Sequence, residues 1–284
     1  MNYRHVYHAG NFADVIKHVT LSLVIEHLKH KASPFRVIDT HAGIGLYDLN
    51  SEAAGKTGEW REGIGRIWGQ DVPSDVREFL TPYFESIRSV NGDGELHSYP
   101  GSPLVARALM RSQDAMVVNE LHPDDYATLV RNLRGDARVK PLNIDGWVAL
   151  RSLLPPKERR GVILIDPPFE VVGELERLVS GLKDGLRRFA TGTYLLWYPI
   201  KGLPAVNAMK QRVAGLGVGK LLCAELFVHQ PSDAQRLNGS GLLIINPPYL
   251  LDAHLQRVLP FLSATLAQSP NAPWSLTWLS GSGS

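Results

Sequence analysis

The sequence reads Val162-Ile163-Leu164-Ile165-Asp166-Pro167-Pro168-Phe169 at the point that decides the fold of the chain. The apolar run is typical of a buried strand, and it leads directly into a carboxylate, two prolines and an aromatic ring. Proline has no backbone N–H and holds φ near about −65°, so the carbonyls between Asp166 and Pro168 are free to face a ligand from a rigid turn. The ring of Phe169 offers a flat face on which a nucleobase can stack.

This turn favours one kind of chemistry. The exocyclic amino group of a nucleobase is a poor nucleophile, because its lone pair is delocalised into the ring. A carboxylate and a backbone carbonyl that accept its two hydrogens draw that lone pair out of conjugation, so the turn indicates methyl transfer to an amine on a planar ring. The other interpretation is a simple turn at a strand end, for which Asp-Pro is common. The tetrapeptide alone leaves both interpretations open.

The pattern on either side of the turn predicts an α/β fold. Apolar residues at helical spacing predict a helix over residues 14–29. Strands and helices then alternate, which implies a mostly parallel sheet of seven strands with helices on both faces. The strands are predicted at 35–38, 116–121, 139–143, 161–165, 193–198, 220–229 and 241–246, and the helices between them at 123–133, 146–154, 173–189 and 204–215.

Two segments depart from this alternation. A polar loop at residues 230–240 is too short for a crossover, so the last two strands are predicted to form a C-terminal antiparallel hairpin. Residues 47–97 contain helical runs but no strong strand, which indicates a helical insertion. The predicted division is a core of residues 1–50 and 98–279, a small inserted helical subdomain of residues 51–97, and a flexible Gly/Ser tail of residues 280–284.

Polar residues follow four of the predicted strands in chain order. In an open parallel sheet, ligands bind beyond the carboxyl ends of the strands, near the point where strand order reverses. The first strand ends in a glycine-containing segment with His41, and the second ends at Glu120, which is suited to accept hydrogen bonds from two ribose hydroxyls. The third ends at Asp145-Gly146, where the carboxylate is suited to an adenine amino group, and the fourth ends at Asp166.

These four strand ends together fit S-adenosylmethionine as a methyl donor. The donor would lie across the first three strands, with its sulfonium facing Asp166. Each strand end taken alone is more often structural, as a turn glycine, a helix N-cap or a solvated acidic residue. The set in chain order favours a methyltransferase over an α/β domain without this activity.

A second Pro-Pro turn, Asn246-Pro247-Pro248-Tyr249, offers similar amino-group chemistry. A protein-glutamine methyltransferase would need Asn246 to be catalytic. This turn closes a strand predicted to be antiparallel to the others, so it should lie at the opposite edge of the sheet from the ligand crevice. We therefore expect a structural turn here and assign the chemistry to Asp166.

The composition sets the class of protein without deciding its function. Hydrophobic residues make up 44% of the chain and charged residues 20%, as in an ordinary soluble globular protein. The single cysteine, Cys223, excludes an internal disulfide and fits a reducing cytoplasm. No apolar run is long enough to span a bilayer, and no His/Asp cluster has the spacing of metal ligands. We expect a cytoplasmic, monomeric protein that contacts no membrane and needs no metal.

Several motifs resemble those of a known family. The N-terminal block at residues 3–18 closely resembles the opening of the RlmJ family, which are bacterial 23S ribosomal RNA adenine-N6 methyltransferases. The resemblance extends to about residue 275 and includes the helical insertion and the second Pro-Pro turn. The further motifs that carry it are Asp39-Thr40-His41-Ala42-Gly43, Tyr99-Pro100-Gly101-Ser102-Pro103, Glu120-Leu121-His122-Pro123, Asp145-Gly146, Ile165-Asp166-Pro167-Pro168 and Trp197-Tyr198-Pro199.

The resemblance implies a Rossmann-like class I methyltransferase fold with S-adenosylmethionine as donor and 23S rRNA, protein-free or partly assembled, as partner. Asp166 would also accept the proton, Pro167 would supply the second acceptor through its carbonyl, and Tyr3 and Phe169 would contact the target adenosine. Family members commonly have Tyr where this chain has Phe169, a change that keeps stacking but removes a phenol hydroxyl. The donor contacts implied are His18, His41, Ser102, Glu120, Asp145, Gly146 and Asp166.

Other interpretations compete with these assignments. Lys17 and His18 would ordinarily be solvated residues on a helix, and Ser102 could cap a helix that begins at Pro103. Arg61 and Arg66 on the insertion are the better candidates for RNA contact among the scattered basic residues. A DNA adenine-N6 methyltransferase would use the same turn, so sequence chemistry alone does not separate DNA from RNA. Trp60, Trp68, Trp147 and Trp197 are expected in the core.

Overall fold

A computed structural model of the chain describes residues 5–231, 233 and 235–282. Its centre is an eight-stranded sheet, and a separate two-stranded sheet lies beside it. The strands of the large sheet are β1 Arg36–Asp39, β4 Ala115–Asn119, β5 Val139–Leu142, β6 Gly161–Ile165, β7 Thr193–Ile200, β8 Leu221–Phe227, β9 Gly239–Ile245 and β10 Trp274–Ser280. The small sheet pairs β2 Leu46–Asp48 with β3 Ser98–Pro100.

Helices cover the sheet and fill the insertion between β2 and β3. The helices are α1 Phe12–Lys29, α2 Glu52–Thr57, α3 Ser74–Arg88, α4 Ser102–Leu109, α5 Pro123–Asn132, α6 Gly146–Leu153, α7 Glu174–Arg188, α8 Leu203–Ala214 and α9 Leu251–Leu266. Short 3₁₀ turns span His5–Tyr7, Glu59–Arg61 and Ile64–Arg66. No helix in the described part of the chain is both long and apolar enough to cross a membrane.

The strand order explains where a ligand can bind. The order is β10-β8-β9-β7-β6-β1-β4-β5, and the five strands from β7 to β5 are parallel. The chain runs outward from β1 through β4 to β5, and then returns to β6 on the other side of β1. This reversal places the ligand-binding crevice at the carboxyl ends of β1 and β6. The predicted Rossmann-like α/β class is confirmed.

The C-terminal part of the sheet extends further than the sequence pattern indicates. β9 is antiparallel to both β7 and β8, so the predicted hairpin of the last two strands is correct. An eighth strand, β10, adds to the outer edge by antiparallel pairing with β8. Ser280, assigned above to a flexible tail, belongs instead to β10, and its hydroxyl donates to the Val218 carbonyl at 2.7 Å.

Helix α1 is buried along most of its length and supports the crevice. Asn11 caps its start, because the side-chain oxygen accepts hydrogen bonds from the backbone N–H groups of Ala13 and Asp14, both at 3.0 Å. α1 packs against α3 of the insertion, and both contribute to one hydrophobic cluster. The insertion therefore shares its core with the sheet, and the division into core and subdomain stays a prediction.

Candidate active site

Two cavities meet at the carboxyl ends of the parallel strands. The first cavity has a volume of about 620 Å³ and the second about 610 Å³. The first cavity is lined by every predicted donor contact, namely His18, His41, Ser102, Glu120, Asp145, Gly146 and Asp166. The second is lined by Asp166, Phe169 and Trp197 together with residues of α1, the insertion and the start of α8. Asp166 and Pro168 line both cavities and form part of the wall between them.

The sheet register explains why these side chains lie in a row. Asp39 pairs with Val118 on one side and with Leu164 on the other. Continuing this register by two residues brings Glu120, His41 and Asp166 to the same level beyond the strand ends. A row of polar groups at one level is the arrangement that a ligand lying across several strands requires.

At the end of β1, a buried carboxyl group connects the sheet to α4. Ser102 donates its hydroxyl hydrogen to Asp39 Oδ2 at 2.6 Å, and burial raises the pKa of Asp39 to about 6. Ser102 is the first residue of α4 rather than its N-cap, which is Gly101. The alternative that Ser102 caps this helix is therefore wrong, and its hydroxyl serves Asp39 instead.

Glu120 is held in place by backbone donors. Its Oε2 accepts from the Gly43 N–H at 2.9 Å, and its Oε1 accepts from the His122 N–H at 2.8 Å. Burial raises the pKa of Glu120, although these two bonds oppose the shift. Each carboxylate oxygen retains a further lone pair, so Glu120 can still accept hydrogen bonds from a pair of hydroxyl groups.

Asp145 has the helix-capping role that the simpler interpretation gave it, and it also lines the first cavity. Its Oδ1 accepts from the Trp147 and Val148 N–H groups at the start of α6. Next to it, a Cβ atom on Gly146 would lie 2.5 Å from Nε2 of His41, so a residue with a side chain would clash there. Burial lowers the pKa of His41 to about 4 and keeps the ring neutral near pH 7.

The side chains of Lys17 and His18 are buried, so the interpretation of this pair as solvated surface is wrong. His18 Nδ1 is hydrogen-bonded to the Tyr99 hydroxyl at 2.8 Å, and burial lowers the pKa of His18 to about 3. Both residues line the first cavity from α1. The contact predicted between His18 and the methyl donor would therefore involve a neutral ring whose Nδ1 is already hydrogen-bonded to Tyr99.

Lys17 lies between two carboxylates. Its Nζ is 2.5 Å from Asp166 Oδ2 and 2.8 Å from Asp14 Oδ1. Burial alone would lower the pKa of Lys17, but the charges of Asp14 and Asp166 raise it above its usual value. Burial likewise opposes ionisation of Asp14, but His5 and Lys17 hold the pKa of its carboxyl well below its ordinary range. The cation fixes one oxygen of Asp166, and Oδ1 has no hydrogen-bond partner among the described residues.

The second cavity presents aromatic surface beside Asp166. Phe169 has a positive φ of 53°, which a non-glycine residue adopts only where its surroundings hold it. Its ring meets the Trp197 ring edge-on, with centroids 5.5 Å apart. Trp197, expected in the core, is only partly buried and lines this cavity, and Lys17 Nζ lies 5.6 Å from its ring centre.

Neither Asn246 nor Arg66 lines the two cavities. Tyr3, predicted to contact the target nucleotide, lies outside the described residues. Asn246 follows the antiparallel strand β9 at the opposite edge of the sheet, as expected, and its amide donates to the carbonyls of Ala190 and Gly192, both at 2.8 Å. Arg66 of the insertion donates to the Ala267 carbonyl and pairs with Glu62, so its guanidinium has protein partners.

Sequence reasoning missed the roles of Asp14 and Lys17. A signal was present, because the two charges are spaced i, i+3 among the apolar residues Val15, Ile16 and Val19. Charged residues are seldom fully buried unless paired, so their place in this helix could have predicted a buried ion pair. Their third partner, Asp166, is 149 residues away from Lys17 and was not accessible to a local pattern.

Comparisons with known proteins identify the family of this chain. The profile of the family described as "Ribosomal RNA large subunit methyltransferase D, RlmJ" matches residues 32–280. The Ribosomal RNA large subunit methyltransferase J of Escherichia coli is 44% identical over 98% of this chain and 99% of its own length. That of Haemophilus influenzae is 41% identical over the same shares of the two chains.

A solved structure also matches along nearly the full chain. The crystal structure of a Legionella pneumophila protein is 35% identical, has a TM-score of 0.87, and covers 97% of this chain and 99% of its own. The family profile spans all strands of the central sheet, and the two named relatives extend the similarity to the N-terminal helix. The chain therefore belongs to the RlmJ family of ribosomal RNA large subunit methyltransferases.

Proposed function

We propose that this protein transfers a methyl group from S-adenosylmethionine to the N6 amino group of an adenosine in 23S ribosomal RNA. The observation that carries the proposal is the position of Asp166 in the wall between two cavities. One cavity presents the acceptors that an adenosyl group needs, and the other presents an aromatic ring. A nucleophile and a methyl donor placed on either side of this wall would meet at the carboxylate.

The polar groups that line the first cavity suit the methyl donor. Glu120 offers acceptors to ribose hydroxyls, and Asp145 offers Oδ2 to an adenine amino group while Oδ1 caps α6. The absence of a side chain at Gly146 lets the start of α6 pack directly against His41, so both residues line this cavity. Nδ1 of His122 is buried without a hydrogen-bond partner in the described part of the chain, and the residue lines this cavity. A polar ligand bound here would supply that partner.

The protein's own residues would prepare the target nitrogen. When bound, the donor supplies a methyl carbon that the adjacent positive sulfur makes electrophilic. Asp166 Oδ1 and the Pro167 carbonyl would accept the two amino hydrogens, since Oδ2 is occupied by Lys17. Phe169 would stack on the adenine once it has left its helix. As the nitrogen gains positive charge its proton becomes acidic, and Asp166 would accept it. Positioning and fixed charges supply most of the acceleration in such a site.

The choice of RNA as substrate rests on the relatives, which are named as ribosomal RNA large subunit methyltransferases. We propose protein-free or partly assembled 23S rRNA as the partner of a monomer in the cytoplasm. A DNA adenine-N6 methyltransferase would need the same turn, so the experiment must include DNA.

The test is methyl transfer from labelled donor to three substrates in parallel: a protein-free 23S rRNA transcript, naked DNA and total cell protein. We expect label in the RNA, recovered after digestion as N6-methyladenosine. Label in DNA as N6-methyladenine would support a DNA adenine-N6 methyltransferase. Label in protein would mean that the methyl acceptor is a protein side chain rather than a nucleobase. A methyl group on any RNA atom other than an exocyclic nitrogen would contradict the role given to Asp166. Assembled large subunits added as a fourth substrate test whether the RNA must be free of protein.

A further inference from the structure

Acidic groups dominate the interior of the second cavity. Among the described residues, four carboxylates line it, and the cation between two of them, Lys17, is already neutralised by its partners. His8 Nδ1 lies 2.9 Å from Glu59 Oε1, and His5 Nε2 lies 2.9 Å from Asp14 Oδ2, so both histidines are also paired. The four carboxylates are Asp14, Glu59, Asp166 and Glu170.

A nucleotide presents two unlike parts to such a cavity. Its base is uncharged and flat, and it suits the walls formed by Pro168, Phe169 and Trp197. Its flanking phosphates are anions, and like charges repel strongly where water is scarce. The phosphates must therefore stay at the rim, where a free cation could bind them.

Lys201 is such a cation. It lines the second cavity and is exposed, and its side chain makes no hydrogen bond or ion pair with any other described residue. It follows the last residue of β7, four residues beyond Trp197, which the register places level with Asp166. Four residues of extended strand span about 13 Å, so Lys201 lies outside the reacting centre but on the same side of the sheet.

The main chain at Lys201 is fixed although its side chain is free. The buried amide of Asn238 donates to the Lys201 carbonyl at 2.7 Å, and the Asn238 N–H donates to the Ile200 carbonyl at 2.9 Å. A lysine on a fixed backbone carries its charge on a flexible four-carbon stem, which suits a phosphate whose exact position depends on the RNA. On the basis of the proposed function, we infer that Lys201 binds a backbone phosphate next to the adenosine held in the second cavity.

The test uses the salt dependence of RNA binding, because a phosphate contact has a defined signature there. Each contact contributes about 0.7 to 0.9 to the slope of log association constant against log salt concentration. We expect Lys201→Gln to reduce this slope by about that amount for a 23S rRNA transcript, and Lys201→Arg to restore it. Binding of S-adenosylmethionine, measured separately by calorimetry, should be the same in all variants.

Lys220→Gln is the matched control. Lys220 is also exposed, but its carbonyl accepts from the Asn246 N–H at the opposite edge of the sheet, so its loss should leave the slope unchanged. If wild-type protein methylates the transcript and Lys201→Gln has the wild-type slope, the inferred phosphate contact is wrong while the proposed function stands. If wild-type protein transfers no methyl group to any RNA, the proposed function fails and the inference fails with it.

Discussion

Lys17 Nζ lies 2.5 Å from Asp166 Oδ2 and 2.8 Å from Asp14 Oδ1, so one cation on α1 joins two carboxylates from distant parts of the chain. Lys17 and Asp14 are almost fully buried, at 4% and 1% side-chain exposure. A charge removed from water is costly unless it is paired, and this pairing fixes the orientation of the residue proposed as the acceptor. We therefore expect this interaction to affect both the stability of the protein and its turnover. Variants can separate the two effects.

Replacing Lys17 should lower both the stability of the protein and its turnover. Lys17→Met removes the lysine charge from the buried Asp14, and breaking a buried pair in this way costs about 3–5 kcal/mol of unfolding free energy. Turnover should fall by about 100-fold, the loss that a misplacement of about 1 Å at a reacting group can cause. Denaturant unfolding and single-turnover methylation measure the two effects.

Two further variants separate stability from chemistry. Lys29→Met removes a partly exposed lysine of the same helix, paired with Glu26 at 2.6 Å, and should cost only about 0–1 kcal/mol. The double variant Asp14→Asn with Lys17→Met should regain part of the lost stability, because one buried carboxylate has been removed. Its turnover should stay low, since Asp166 still lacks its partner. Full turnover in the double variant would show that Lys17 is needed only for stability.

Asp166→Ala should remove turnover without removing the donor site. Loss of a general base typically costs about 10²- to 10⁴-fold in rate, and calorimetry should still detect donor binding because most of the first cavity is intact. Asn246→Ala is the comparison, since Asn246 heads the other Pro-Pro turn and its side-chain amide donates to the main-chain carbonyls of Ala190 and Gly192. It should keep turnover per folded molecule. Normal turnover in Asp166→Ala together with lost turnover in Asn246→Ala would mean that the catalytic residue is in the second Pro-Pro turn.

Glu120→Ala should act mainly on donor affinity. The change removes the acceptors proposed for the ribose and leaves the Gly43 and His122 N–H groups without their present partner. A hydrogen bond to a charged group contributes about 1.5–3 kcal/mol, so the donor dissociation constant should rise by about 10- to 150-fold. Glu120→Gln keeps one carbonyl acceptor and should lie between wild type and Glu120→Ala. An unchanged dissociation constant in Glu120→Ala would mean that the donor binds elsewhere.

The order of strands and helices could be read from the sequence because each strand and the helix that follows it are local features. β10 was missed although Trp274–Trp278 alternates apolar and polar side chains, because it adds to the edge of the sheet beyond the predicted C-terminal hairpin and pairs with β8, about fifty residues away. The strand-end residues Glu120, Asp145 and Asp166 could be placed together because parallel strands end at one edge. The orientation of Asp166 toward Lys17 could not, because it depends on how α1 packs over the sheet.

Acid should destabilise the protein through its buried histidines. Burial lowers the pKa of His18 from 6.5 to about 3, so below pH 6.5 the unfolded chain binds a proton that the folded protein excludes. Stability is therefore greatest above pH 6.5 and falls as the pH decreases toward 3, by at most about 1.4 kcal/mol per pH unit for one proton.

The variant His18→Asn tests this pH dependence. It should be less stable than wild type at every pH because packing contacts of the ring are lost, but the difference in its unfolding free energy between pH 7.5 and pH 5 should be smaller than in wild type. His97→Asn, on an exposed loop, serves as the comparison and should leave that difference unchanged. Equal pH dependence in wild type and His18→Asn would show that His18 takes up its proton without unfolding, and the neutral ring assigned to it at Tyr99 would then be wrong.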